Sequence, residues 1–268
     1  MSYSRPATRS NPACIVLLVD QSLSMGEEFA GDHSTTKCEG TARAINRLLL
    51  HLIVLCDKDP GALPRPYYDV GVIGYGANVG PAWGGELRGR SLVSIPDLAL
   101  HPISPDEAAW VVPAADGATP MGEAFAAAGA TIAEWTQNHR DSFPPIVINI
   151  SDGAATDDPI LWSQRLKSLA TADGNLLLFN LNISREPVAP QLYPHSPEGL
   201  PHEFARALWD MSSPLTERMC DTASLPMGTK GFGLNADLSS LIDFLHIGTR
   251  VGGSWNGQGD LPEPRSAL

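Results

Sequence analysis

The sequence predicts an open, Rossmann-like α/β fold, with a mostly parallel sheet and helices on both faces. Two observations carry this expectation. The runs ACIVLLVD at 13–20, PPIVINISDG at 144–153 and NLLLFNLNI at 175–183 are nearly continuous in apolar residues, as strands covered on both sides must be. Segments with apolar residues at three- and four-residue spacing alternate with these runs, and alternation of this kind builds parallel sheets through crossover helices.

Each element follows from local chemistry. The first strand, 13–20, lies between Pro12 and a serine-rich turn. EEFAGDHSTTKCEG has no clear period, but Ser34, Thr35 and Thr36 are cap candidates for a helix over about 37–57. There Ala42, Ile45, Leu48, Leu49, Leu52, Ile53 and Cys56 form one apolar stripe. PGALPRP at 60–66 breaks the chain, and YDVGVIGYG at 68–76 supplies a strand whose Gly71, Gly74 and Gly76 permit close approach of backbone or helix. LVSI at 92–95 reads as a further short strand. Thr119 precedes Pro120, a favoured first-turn residue, and an Ala-rich helix runs on to about 138, with Thr119 as its candidate N-cap. A helix fits 158–171 and a shorter one 202–211, while 231–248 reads as strand, turn and closing helix. Residues 1–12 are expected as a flexible leader, 13–250 as a single domain with an elaboration at 184–233, and 251–268 as a flexible tail.

Composition narrows the function. The chain has 268 residues, and 18 Lys and Arg against 30 Asp and Glu give a net charge of −12. That balance argues against broad contact with nucleic acid or anionic lipid and suits a protein that handles cations. No stretch reaches the roughly 18 apolar residues a membrane span needs. No signal-peptide pattern opens the chain, so a cytoplasmic location is expected. The four cysteines show no zinc-ligand spacing, and Cys14 and Cys56 lie in apolar runs as buried free thiols.

Ligands of open α/β sheets bind beyond the carboxyl ends of the strands. Asp20, Ser22 and Ser24 follow the first strand, Thr119 stands at a helix start and Asp152 follows another strand. In an extended segment residues two apart point the same way, so Asp20, Ser22 and Ser24 can converge. Two carboxylates and three hydroxyls form a hard oxygen site, suited to Mg²⁺ or Mn²⁺ rather than zinc. Asp116 is a solvated loop acid, the seven histidines are scattered, and Trp83, Trp110, Trp135, Trp162 and Trp209 are read as packing residues. No catalytic residue is assigned. The strand glycines lack the strand–loop–helix context of a dinucleotide fingerprint.

VDQSLSM, DGATPMGEA and INISDGAATD, in that order, resemble the three pieces of the metal-ion-dependent adhesion site of von Willebrand factor type A (VWA) domains. Over about 13–250 the chain looks most like bacterial cytoplasmic members related to the tellurite-resistance TerY proteins. The resemblance implies that Ser22 and Ser24 hold the metal directly, and that Thr119 does so directly or through water. Asp20 and Asp152 would position waters and serines. It also implies one open coordination position, filled by an Asp or Glu of a protein partner, in a non-enzymatic adaptor of a stress or defence assembly beside an ATPase, kinase or phosphatase. One departure is MGEEFAGDHSTTK, a longer and more acidic link than usual, whose Glu27, Glu28, Asp32 and His33 could crowd the metal or face the partner. A metal-dependent hydrolase or phosphatase, and a structural subunit whose metal staples three loops, remain as alternatives.

Overall fold

The computed structural model describes residues 3–29, 32–102, 110–183 and 189–249. The expected tail at 251–268 lies outside the described residues, as does part of the 184–233 elaboration.

Five parallel strands form the centre of the sheet: β1 (Ala13–Asp20), β4 (Tyr68–Tyr75), β7 (Ile146–Ser151), β10 (Leu177–Asn182) and β12 (Phe232–Leu234). Their order continues to the edges as β11-β12-β10-β7-β1-β4-β5, with β11 (Gln191–Leu192) and β5 (Val79–Pro81) added antiparallel. β6 (Val93–Ser94) also pairs with β4. Two small ribbons stand apart: β2 (Glu28–Phe29) with β3 (Asp32–Thr36), and β8 (Ala170–Thr171) with β9 (Gly174–Asn175).

Period-two alternation along β1 splits the core. Ile15, Leu17 and Val19 point into one layer, with α1 (Lys37–Cys56), α2 (Ile95–Leu100), α6 (Glu217–Ala223) and α7 (Leu238–Gly248). Cys14, Val16 and Leu18 point into the other, with α3 (Met121–Asn138), α4 (Pro159–Lys167) and α5 (Glu203–Met211). The doubly covered, mostly parallel sheet is the Rossmann-like architecture the apolar runs predict.

Three local readings change. Ile95 opens α2 rather than ending a strand, because the Ser94 side chain accepts from Asp97 N–H and Pro96 fits the first turn. The helix expected over 158–171 stops at Lys167, and Ala170 begins a ribbon. Residues 3–12, expected as a flexible leader, run against the body. Arg5 pairs with Asp141 at 2.6 Å, its N–H reaches the Asp173 carboxylate at 3.0 Å, and Ala7 is buried. Among the tryptophans, Trp83, Trp110 and Trp135 are buried, Trp209 lies under Lys230 Nζ at 3.9 Å, and Trp162 is exposed.

Candidate functional site

The site sits at the carboxyl ends of β1, β4 and β7, three adjacent strands. Gly76, just past β4, lets their loops converge. A Cβ there would lie 2.5 Å from both the Gln21 and Asp116 carbonyl oxygens, closer than any real contact. Asp116 N–H donates to Gln21 O at 2.7 Å, Ala77 N–H to Asp116 O at 2.8 Å and Leu23 N–H to Gly117 O at 3.1 Å. Backbone hydrogen bonds thus lay the 116–119 segment along the 21–24 loop.

Four of the five expected residues join in one hydrogen-bonded set. Asp20 is fully buried and accepts from Ser22 N–H and from the Ser151 hydroxyl, both at 2.8 Å. Ser22 and Ser24 bring their hydroxyls to 3.1 Å, and Ser24 donates to Asp152 Oδ1 at 2.8 Å. Leu23, between the two serines, turns outward and is 71% exposed. Thr119, the fifth, is buried on the neighbouring loop and outside this hydrogen-bonded set. Its carbonyl accepts from Met121 N–H at 2.8 Å and from Thr156 N–H at 2.9 Å, which ties the threonine loop to the loop after Asp152.

Thr119 is not the N-cap of α3. Pro120 holds that position without a side-chain bond. Asp157, from the loop after β7, accepts instead from Gly122 N–H and Glu123 N–H, both at 2.9 Å. Here a long-range carboxylate satisfies orphan amides that a local hydroxyl usually takes, at the positive end of the helix.

The feature that sequence reasoning missed is Lys37. It occupies the first position of α1 with its side chain 5% exposed, and its ammonium meets three acceptors. These are Asp152 Oδ2 at 2.8 Å, Glu27 Oε2 at 3.0 Å and the Ser24 carbonyl at 3.3 Å. The acidic link is the device that holds it. It folds as the β2–β3 hairpin, and Phe29 packs where a Cβ on Gly40 would come within 2.6 Å of its ring. Glu27 O accepts from Lys37 N–H at 2.8 Å, so the hairpin clamps the first turn of α1. Glu27, expected to crowd the metal or face a partner, pairs with Lys37. One sequence signal for Lys37 existed: a cation in the first turn of a helix opposes the macrodipole, so a nearby carboxylate must offset it. Thr36 and Glu39 form a reciprocal capping box around the same turn.

The electrostatics are uneven. Burial pushes the Asp20 carboxyl above its ordinary range, hydrogen bonds from Ser22 and Ser151 pull it back, and the nearby Asp152 charge raises it again. Burial likewise raises the Tyr75 phenol well above its usual value. Tyr75 donates to Asn149 Oδ1 at 2.7 Å, Asn149 Nδ2 to Asn180 Oδ1 at 3.1 Å and Asn180 Nδ2 to Ser212 Oγ at 3.0 Å. This satisfied polar ladder runs beneath the site.

The donor set fits a small hard cation. The five residues offer only oxygen, two carboxylates and three hydroxyls on adjacent loops. Among the described residues no group of three or more His, Cys, Asp and Glu side chains has metal-site geometry, so an ion here would depend on the hydroxyls.

No protein-family model and no curated protein matches the sequence. Solved structures do. The mussel byssus proximal thread matrix protein 1 superposes with a TM-score of 0.51 at 14% identity, over 89% of this chain and 47% of that one. A von Willebrand factor type A protein from Catenulispora acidiphila gives 0.45 at 15% identity, over 88% of this chain and 42% of that one. The SpRpn10 VWA domain gives 0.45 at 14%, over 90% and 100%. This chain thus spans less than half the length of the first two. At these identities the likeness is one of fold, and the chain is a Rossmann-like α/β domain.

Proposed function

We propose that this chain is a VWA-type, non-enzymatic protein-binding module that takes a divalent cation, Mg²⁺ or Mn²⁺, at the Asp20, Ser22, Ser24, Thr119 and Asp152 cluster. The observation that carries the reading is the hydrogen-bonded oxygen set running from Asp20 through Ser22 and Ser24 to Asp152, at the carboxyl ends of neighbouring parallel strands. When bound, the ion supplies a positive centre that attracts a partner's Asp or Glu. The chain's own residues do the rest. Ser22, Ser24 and Thr119 offer neutral oxygens, and Asp20 and Asp152 orient the hydroxyl-bearing loops. Exposed Leu23 gives the partner an apolar foothold beside the site. An adaptor role in a TerY-like stress or defence assembly in the cytoplasm is the pathway this reading favours. No helix among the described residues is long and apolar enough to cross a membrane.

A phosphatase would want a cation free to hold phosphate. Lys37 is the cation at hand, and its three N–H bonds are committed to Ser24, Glu27 and Asp152. That favours the binding module over the hydrolase.

Mn²⁺ binding followed by electron paramagnetic resonance should show one site, lost in Ser22→Ala/Ser24→Ala. Affinity capture should retain a partner in Mg²⁺ and release it in EDTA. Leu23→Asp should weaken capture at least tenfold with Mn²⁺ binding intact, since the Leu23 side chain points to solvent. Capture indifferent to EDTA and to both variants would sink the reading.

A further inference from the structure

We infer that Lys37 is a resident cation that sets the divalent-metal affinity of this site: its ammonium holds Asp152, and an incoming ion competes with it for that carboxylate. The inference rests on the metal-site reading above and adds a residue to it.

The argument begins with cost. Withdrawing an ammonium and a carboxylate from water is expensive, and such a pair persists only where hydrogen bonds satisfy both partners. Here they do. The Lys37 side chain is 5% exposed and that of Asp152 1%. Lys37 fills its three donor positions with Asp152, Glu27 and Ser24 O. Asp152 receives Lys37 on Oδ2 and the Ser24 hydroxyl on Oδ1. The arrangement is complete without a metal, and a hairpin, a helix start and two loops converge to make it.

Two consequences follow. First, the site's local charge is less negative than its carboxylates suggest. Lys37 cancels one of Asp20, Asp152 and Glu27, and an approaching divalent ion meets a like charge. Second, Asp152 cannot turn Oδ2 toward an ion without releasing the ammonium. Metal capture through that oxygen therefore disturbs the Lys37–Glu27 pair and, through it, the β2–β3 hairpin. A site built this way binds its ion weakly alone and gains most when a partner carboxylate restores negative charge.

A charge-neutralising double-variant cycle tests this, with Mn²⁺ as the probe at constant pH and ionic strength. Lys37→Met keeps the stem and removes the charge. It should bind Mn²⁺ at least tenfold more tightly than the wild-type chain, about 1.4 kcal/mol. Its melting temperature in EDTA should fall, and Mn²⁺ should raise that temperature more than it does for wild type. Should Lys37→Met fail to fold, Asp152→Asn and Lys37→Met/Asp152→Asn make the same comparison with the buried carboxylate neutralised. The double variant should still bind more tightly than Asp152→Asn but by a smaller factor, because only the ammonium's repulsion is removed once the contested carboxylate is gone. Equal or weaker binding after loss of Lys37 in either background overturns the inference and leaves the metal reading standing. Binding by Lys37→Met but not by wild type upholds the inference and overturns the native module's metal dependence. Binding by neither overturns both.

Discussion

Asp20 is a carboxylate held where water does not reach, with two hydrogen-bond donors and, among the described residues, no cationic side chain bonded to it. Burial raises its pKa, so the folded chain takes up a proton more readily than the unfolded one. Stability from this residue therefore declines as pH rises from the ordinary carboxylate value through the raised one, and the penalty is full above it. Asp20→Asn removes the charge while keeping an acceptor for Ser22 N–H. We expect it to melt at or above the wild-type temperature in EDTA at pH 7, with the difference shrinking in acid, and to lose Mn²⁺ binding. Calorimetric melts at several pH values check both parts. A clearly lower melting temperature at pH 7 would show that the buried charge is not the liability its surroundings imply.

At the scale of elements, the start of α3 is held from another part of the chain. Asp157→Ala removes the acceptor for Gly122 and Glu123 N–H, so it should cost about 1 kcal/mol, within the usual range for a lost cap. It should also loosen the threonine loop, since Thr119 is two residues from α3. A denaturant melt measures the first effect and Mn²⁺ affinity the second. What was legible divides along the same line. The ends of β1 and α1, and Thr36 as its cap, follow from apolar runs and local capping chemistry. The β2–β3 hairpin was not legible, because DHSTT has no apolar alternation and the pairing depends on Phe29 finding the gap at Gly40. Asp157 and Lys37 were missed for a related reason. Their partners lie 35 and 115 positions away, and no local pattern records a contact at that range. The strand ends told which oxygen residues lie near one another, but alternation was the wrong reason for Ser22 and Ser24. β1 stops at Asp20, Ser22 caps a tight 3-10 turn over Leu23–Gly26 and Ser24 lies within it, so a turn and not an extended segment brings the two hydroxyls together.

At the scale of the molecule, two packed layers enclose the sheet and carry three of the four thiols out of reach. Cys14, Cys56 and Cys220 are buried, and Cys38 is half-buried. Burial raises the Cys14 thiol well above its usual value and Cys56 to about 12. Under native conditions a thiol reagent should therefore label Cys38 first, and the other three only at the rate of unfolding. Rapid labelling of two or more cysteines would show that a layer opens locally. Asn149 and Asn180 belong to this scale as well. They interrupt strands that otherwise read as apolar, and only the assembled sheet explains them, as links between Tyr75 on β4 and Ser212 at the end of α5.

The sheet's two margins carry a consequence for life among many copies. A parallel sheet left open at its sides invites a neighbour's strand to extend it. Here each flank ends in a brief reversed strand, Gln191–Leu192 on one side and Val79–Pro81, closing on a proline, on the other. Among the described residues neither offers the length of unpaired backbone on which a second copy could align and polymerise. A fold with margins of this kind can be crowded at high concentration without its copies stacking strand on strand into fibres.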